Sequence, residues 1–267
     1  MGQEDVIMIR IAVLMTCYNR VEVTLRGLRS LFAAKPRDGE LEVFLVDDAS
    51  PDGTAARVRA EFPSVRVIDS PGNLFWCKGM RLAWDRAIAD EAQGGARPYD
   101  NFLWFNDDVV LKPTAIAAML AESATTNGLV VGKFSSDETE REVSFGLDGA
   151  SQWMNGNLVL VPRKVYEKIG PICDGYRHAY GDHDYGLRAQ RAGFAVKLST
   201  EFCGVCPRQP ERYLSMQGRS LHERFRVLFA TKGICLHDAV LFRYRNWGVT
   251  MAIACFVHLV VKTLLGR

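Results

Sequence analysis

The chain has 267 residues, 48% of them hydrophobic and 24% charged, with a formal net charge of +2. That apolar content fills a complete core and fits one large domain with an appendage better than two equal domains. The near balance of charge removes the electrostatic case for nucleic acid as a partner, so any polyanion site must be local.

The first residues, Met1-Gly2-Gln3-Glu4-Asp5, are polar and acidic and run into a strand pattern rather than the basic and apolar blocks of a signal peptide. A cytoplasmic protein is therefore expected. Ile9 to Thr16 reads as a buried strand, followed by the polar turn Thr16-Cys17-Tyr18-Asn19-Arg20. From Val21 the period changes, and Val21, Leu25, Leu28, Leu31 and Phe32 share one helical face. Leu41 to Val46 is the second strand, ending in Asp47-Asp48, and Thr54 to Phe62 a short helix. A third strand, Val65 to Asp69, breaks at Ser70-Pro71-Gly72-Asn73, and Gly79 is expected to open an amphipathic helix.

Asn101 to Asn106 is an apolar run suited to a fully buried central strand, and it ends in Asn106-Asp107-Asp108. Adjacent carboxylates repel, so such a cluster is more comfortable beside a divalent cation or another positive group. A helix from about Pro113 and a strand from Gly128 to Phe134 follow. This alternation argues for a parallel α/β sheet with right-handed crossovers. Thr16 and Tyr18, Asp47 and Asp48, and Asn106 to Asp108 then gather at the edge where open α/β sheets bind ligands. The first turn has no glycine and no phosphate loop of the Walker type is present, so a glycine-rich cradle does not hold the ligand.

The alternation weakens from Asp137 to Gly149, which reads as loop. Asn155-Gly156-Asn157 leads into the apolar Leu158 to Val161, and Pro162 to Ile169 is a short helix. His178 to Tyr185 opens another helix, where Asp182 and Asp184 suit the dipole, although one carboxylate suffices as a cap. Seven scattered cysteines fit reduced thiols, and Cys203-Gly204-Val205-Cys206 is half a zinc site with nothing to complete it. Past residue 207, Ser220-Leu221-His222-Glu223 makes a capping box. Gly248 to Leu265 is an apolar run broken by His258 and Lys262, open to three placements: on a membrane surface, against the domain or a second subunit, or across a bilayer.

Five segments in order resemble a known signature: Thr16 to Arg20; Val46-Asp47-Asp48-Ala49-Ser50 with Asp52-Gly53-Thr54; Gly72-Asn73; Asn106-Asp107-Asp108; and Tyr180-Gly181-Asp182-His183-Asp184 with Leu187-Arg188 and Arg191-Ala192-Gly193. Together they resemble the family-2 glycosyltransferases of GT-A fold, in a rhamnosyltransferase-like branch serving bacterial polysaccharide. The resemblance implies an α/β catalytic domain over residues 1–206, its mostly parallel central sheet flanked by helices, with a donor half to about 134 and an acceptor half from 135. Residues 207–267 form a C-terminal helical extension. It also implies inverting transfer from a nucleotide-sugar donor, uridine or thymidine diphosphate favoured, to a glycan or lipid-linked glycan acceptor.

On that resemblance Thr16, Tyr18, Arg20, Asp47, Asp48, Asn73, Lys78 and Asp107 hold the donor. Asp108 and the neutral Asn106 hold a divalent cation, Mg2+ or Mn2+, Asp182 is the catalytic base, and Asn155, Gly156, Asn157, Tyr180 and Asp184 line the acceptor side. The chain departs from the pattern at Asn106, at Gly181 where a Glu is usual, and at Phe202 to Cys206 where a His often completes the metal shell. Trp76 either touches the donor or packs beneath its loop. A lipid-linked acceptor would place the protein on the inner face of the cytoplasmic membrane, and dimerisation through the C-terminal helices is the other use of that segment. A non-catalytic nucleotide-sugar binding module and a two-carboxylate glycoside hydrolase are the alternatives.

Overall fold

The computed structural model describes residues 8–94, 97–136, 143–145, 154–206 and 216–266. Along the chain run β1 (Ile9–Cys17), α1 (Val21–Ala33), β2 (Gly39–Asp47), α2 (Thr54–Glu61), β3 (Arg66–Asp69), α3 (Phe75–Gly94), β4 (Asn101–Phe105) and β5 (Val110–Leu111). Then come α4 (Ala115–Thr125), β6 (Gly128–Ser135), β7 (Val143–Phe145), β8 (Leu158–Pro162), α5 (Arg163–Ile169), α6 (Gly181–Arg191), β9 (Ala195–Val205), α7 (Leu221–Phe229), α8 (Leu236–Trp247) and α9 (Val249–Leu265). The expected loop over 137–149 lies outside the described residues except for β7.

The strands form one sheet in the order β3-β2-β1-β4-β8-β6-β9-β5, with β7 beside β6. β3, β2, β1 and β4 are parallel, as the helical crossovers between them require. β8 enters antiparallel to both β4 and β6, so the second half of the sheet is mixed.

Alternation along each strand feeds two cores. Ile11, Val13 and Met15 of β1 pack with α1, α2 and α4, whereas Ala12 and Leu14 pack with α3, α5, α6 and α8. β4 is buried on both faces, with Leu103 and Phe105 on one side and Phe102 and Trp104 on the other. The Trp104 ring meets those of Trp84 and Tyr185 at 5.9 and 5.0 Å. The parallel register places Cys17 beside Asp47 and Asp47 beside Asp69, so β1, β2 and β3 end at one edge.

One boundary moves. α3 begins at Phe75 rather than Gly79, because Asp48 at the end of β2 accepts the N–H groups of Leu74 and Phe75 (3.0 and 2.9 Å). A carboxylate from another strand thus satisfies donors that the helix start leaves open. Gly79 serves packing instead, since a Cβ there would lie 2.5 Å from Thr16 Oγ1.

The capping box forms as expected, Ser220 and Glu223 exchanging hydrogen bonds at the start of α7. Among the described residues no helix is long and apolar enough to cross a membrane. The extension is fastened by two buried carboxylates. Asp184 of α6, 1% exposed, accepts from Tyr176 Oη (3.1 Å), Arg188 Nε (3.1 Å), Arg245 Nε (3.3 Å) and Asn246 Nδ2 (3.1 Å). Its expected acceptor role is thereby corrected, because a carboxylate saturated inside the core cannot meet a sugar. Asp238 of α8, wholly buried, accepts the N–H groups of Arg177, His178 and Ala179 at 2.8 to 3.1 Å.

Replacing Asp184 by Ala leaves Tyr176 and two guanidiniums without their shared acceptor. Both arginines keep some solvent, so the expected loss is about 2–3 kcal/mol, below that of breaking a fully buried pair. Urea unfolding measures it, and a loss under about 0.5 kcal/mol would show that the carboxylate does not fasten α8.

Candidate active site

Five carboxylates converge on the edge where β1, β2 and β4 end, and the structure disposes of them one by one. Asp47 accepts from the Ser50 hydroxyl and backbone N–H and from the Cys17 thiol (3.4 Å). Asp48 accepts from Ser70 Oγ (2.9 Å) as well as from the start of α3. Both were expected to hold the donor; they are buried and shape the loops around it.

Asp107 is 1% exposed and accepts from Arg20 Nη2 (2.6 Å) and Thr24 Oγ1 (3.1 Å). Burial pushes its carboxyl up to about 6, with Asp108 adding to the rise and Arg20 opposing it. Gly27 lets α1 press against this turn, since a Cβ there would meet the Asp107 carbonyl at 2.6 Å. Asp107 therefore lies behind the site, holding Arg20 rather than facing a ligand.

Asp108 is different. Its Oδ2 accepts from Arg20 Nη1 (3.2 Å), while its Oδ1 is buried with no hydrogen-bond partner. An orphaned carboxylate oxygen at a sheet edge is a hard donor waiting for a cation, the chemistry that Mg2+ and Mn2+ prefer. Among the described residues no three His, Cys, Asp or Glu side chains gather as a metal shell, so Asp108 is the one carboxylate of this turn with an oxygen free to meet a cation. Asn106, expected as its companion ligand, is turned elsewhere. Its Oδ1 accepts from Trp76 Nε1 (2.7 Å) and its Nδ2 donates to Asn157 Oδ1 (2.6 Å).

That relay joins the two halves of the site. The Trp76 ring packs edge-on against Trp104 (5.8 Å), as the packing alternative expected, and also borders Gly156. A Cβ on Gly156 would lie 2.6 Å from the Trp76 ring and 3.2 Å from the Asp182 Cβ. Only glycine lets the three approach, and the Gly156 N–H then donates to Asp182 Oδ2 (2.9 Å). Asp182 Oδ1 accepts from the His183 N–H (2.9 Å), so this carboxylate sits in the first turn of α6, oriented and partly exposed. Gly181 explains the missing Glu, because a Cβ there would meet Cys77 Sγ at 2.6 Å.

The remaining expected residues divide. Thr16 is the penultimate residue of β1, and Tyr18, Asn73 and Lys78 are exposed. Asn155 Oδ1 accepts from the Asn157 N–H (2.9 Å), shaping the acceptor-side turn. Tyr180, expected on the acceptor side, has a left-handed φ of 64° and its ring is stacked on Phe242 of α8 (5.0 Å). Lys232, which carries no motif, comes from the extension to lie over the Tyr18 ring (5.4 Å). The chain that sequence reading missed, Trp76 to Asn106 to Asn157, shows only as one more Trp and two Asn residues in polar turns.

The model of a family described as glycosyl transferase family 2 matches residues 12–178. No curated protein matches the chain. Among solved structures, the mannosyltransferase PcManGT from Pyrobaculum calidifontis, in complex with GDP-Man and Mn2+, superposes with a TM-score of 0.58 at 16% identity, covering 95% of this chain and 76% of that one. Residues 1–349 of S. aureus TarS, in complex with UDP, give 0.57 at 15% identity, covering 94% and 81%. The same protein with UDP-GlcNAc gives 0.57 at 12% identity, covering 97% and 81%. At these identities the likeness shows the fold.

The elevated Asp107 carboxyl makes a signed prediction. A raised folded-state value contributes stability below the ordinary carboxylate range that is lost as pH rises through about 6. Asp107→Asn lacks that dependence, so its stability relative to the unchanged protein should improve by about 2 kcal/mol between pH 4 and pH 8. Thermal melts across that range test this, and a constant difference would show that Arg20 keeps the carboxylate ionised throughout.

Proposed function

The chain belongs to glycosyl transferase family 2 and is a glycosyltransferase, and we propose that it moves a sugar, with inversion, from a nucleoside-diphosphate donor to a hydroxyl of a glycan or lipid-linked glycan. The observation that carries this reading is the pairing of an oriented carboxylate, Asp182, with a bare one, Asp108, joined through Gly156, Asn157 and Asn106. Hydrolysis would need two carboxylates flanking one bond and gives Asp108 no task. Residues 1–134 are the donor half, 135–206 the acceptor half and 207–267 the extension.

In transfer, the anomeric carbon loses its bond to the diphosphate, which keeps the electron pair, and gains one to the acceptor oxygen. Asp182 takes the proton of that hydroxyl. Two backbone N–H groups hold its carboxylate, one from Gly156 and one from His183, so the proton is received by a group that does not have to reorient. Bound Mg2+ or Mn2+ would be held by Asp108 and supply Lewis-acid stabilisation of the departing diphosphate. Thr16 and Tyr18 offer a hydroxyl and a ring to the base and ribose, with Asn73 and Lys78 assigned to the donor as well, and Asp47 and Asp48 hold the surrounding loops. Uridine and thymidine diphosphate sugars are favoured. Attack on the face opposite the leaving group gives inversion. We assign the enzyme to the cytoplasmic side of the membrane that carries its acceptor.

Titration calorimetry with uridine, thymidine and guanosine diphosphates, each with and without Mn2+, tests the donor side. One nucleotide should bind in a metal-dependent manner that Asp108→Ala abolishes, and binding of none would overturn the reading. Asp182→Asn should keep that nucleotide affinity and lose turnover by about 10²–10⁴-fold.

A further inference from the structure

The extension carries more apolar surface than packing explains. α9 has no acidic residue and is apolar nearly all round, yet Ala252 and Thr263 are its only buried positions. Val249 and Ile253 are 60% and 59% exposed, and Met251, Phe256, Val257, Val261, Leu264 and Leu265 are exposed with them. A helix of that composition is normally covered on every side. At 17 residues it is too short to be covered by crossing a bilayer.

Beside this face lies a groove of about 750 Å3 between α7, α8 and α9. Phe229, Leu236, Val240, Val249, Ile253 and Phe256 form its apolar wall, and its polar lining is the Arg177 guanidinium and the His237 imidazole, with no carboxylate in the lining. The exposed aromatics Tyr244 and Trp247 stand at the end of α8, and Lys262 lies on α9. Apolar depth, basic groups and aromatic side chains together match the border between lipid tails and anionic head groups. A two-fold contact with a second copy would bring the Arg177 guanidinium of each groove against the other with no carboxylate in the lining to answer it.

We propose that this groove seats the hydrocarbon chain of a phosphate-headed membrane lipid, with Arg177 and His237 receiving the head. Resting on the transferase reading, it follows that the acceptor glycan is carried by such a lipid and that α9 lies in the membrane surface. The path to the chemistry is short. Arg177 begins the segment 177–181 that leads directly to Asp182, and Asp238, next to His237, holds that segment by three backbone N–H groups. A head group at Arg177 therefore delivers its attached glycan along the loop that ends in the base.

Sedimentation of the full chain with vesicles tests this, using phosphatidylcholine alone and phosphatidylcholine with 30% phosphatidylglycerol. Binding to the anionic vesicles should be at least tenfold stronger. Ile253→Glu with Phe256→Glu should remove it, while Arg177→Ser should remove the preference for anionic lipid and leave the weaker neutral binding. Both altered positions of α9 are exposed, and a thermal melt confirms that the fold is kept. Monomeric dodecyl phosphate should bind at one site per chain and lose affinity at least tenfold in the same double variant. No binding to anionic vesicles overturns the proposal, as does a dimer in analytical ultracentrifugation that the α9 substitutions dissociate. Nucleoside-diphosphate binding, measured separately, tells failure of the groove from failure of the transferase reading.

Discussion

Negative charge concentrated at one sheet edge is the constraint from which the arrangement of this site follows. Asp47, Asp48, Asp107, Asp108 and Asp182 all reach the edge where β1, β2 and β4 end, or the loops that face it. Carboxylates so close raise one another's energy unless each is answered by donors or by a cation. Four are answered within the chain, by Ser50 and Cys17, by Ser70 and the start of α3, by Arg20 and Thr24, and by the N–H groups of Gly156 and His183. Asp108 alone keeps a bare buried oxygen on this edge among the described residues, which is why the proposed divalent cation is assigned to it and not to its neighbour Asp107.

Holding those donors in place costs backbone energy. Among the described residues six non-glycine residues have positive φ, and five of them, Asn19, Ala49, Asn73, Phe75 and Tyr180, lie in the turns and helix starts at this edge. Asn tolerates such a conformation, but for Phe75 and Tyr180 it is strained, of order 1–3 kcal/mol each. The compensation is visible locally: Asp48 takes the Phe75 N–H, and the Tyr180 ring is stacked on Phe242.

The parts of the fold that sequence reading recovered are those governed by local period. β1, β2, β4 and β6 are built on apolar runs and α1 is a one-faced helix, so their residues announce them. The start of α3 was misplaced because its cap comes from Asp48, 27 residues away, and no local pattern carries a long-range cap. Asp182 and Asp184 look alike in sequence, two carboxylates in the first turn of one helix. Two residues apart on α6, they point in different directions, one toward Gly156 and the edge, the other into a nest of Tyr176, Arg188, Arg245 and Asn246. The Arg and Asn that complete that nest are some 60 positions downstream, beyond any spacing argument. Gly156 and Gly181 were readable as members of motifs; that each is required by a neighbour's side chain, Trp76 and Cys77, needed the packing.

Those long-range contacts also change the standing of the C-terminal extension. Its α8 receives the segment 177–179 on Asp238 and in return gives Arg245 and Asn246 to Asp184 of α6, so carboxylates are exchanged in both directions across one boundary. Burial alone would push the Asp238 carboxyl up, yet the N–H of His178, the His237 ring and the N–H of Ala179 outweigh it and hold the group below the usual carboxylate range. A group so held is fully engaged at neutral pH and releases its segment only as pH falls through that lowered range. The segment it holds is the approach to Asp182. The geometry of Asp182, the proposed base, is therefore set from one side by the Gly156 turn and from the other by α8, and the extension is packed into the fold beside it rather than appended to it.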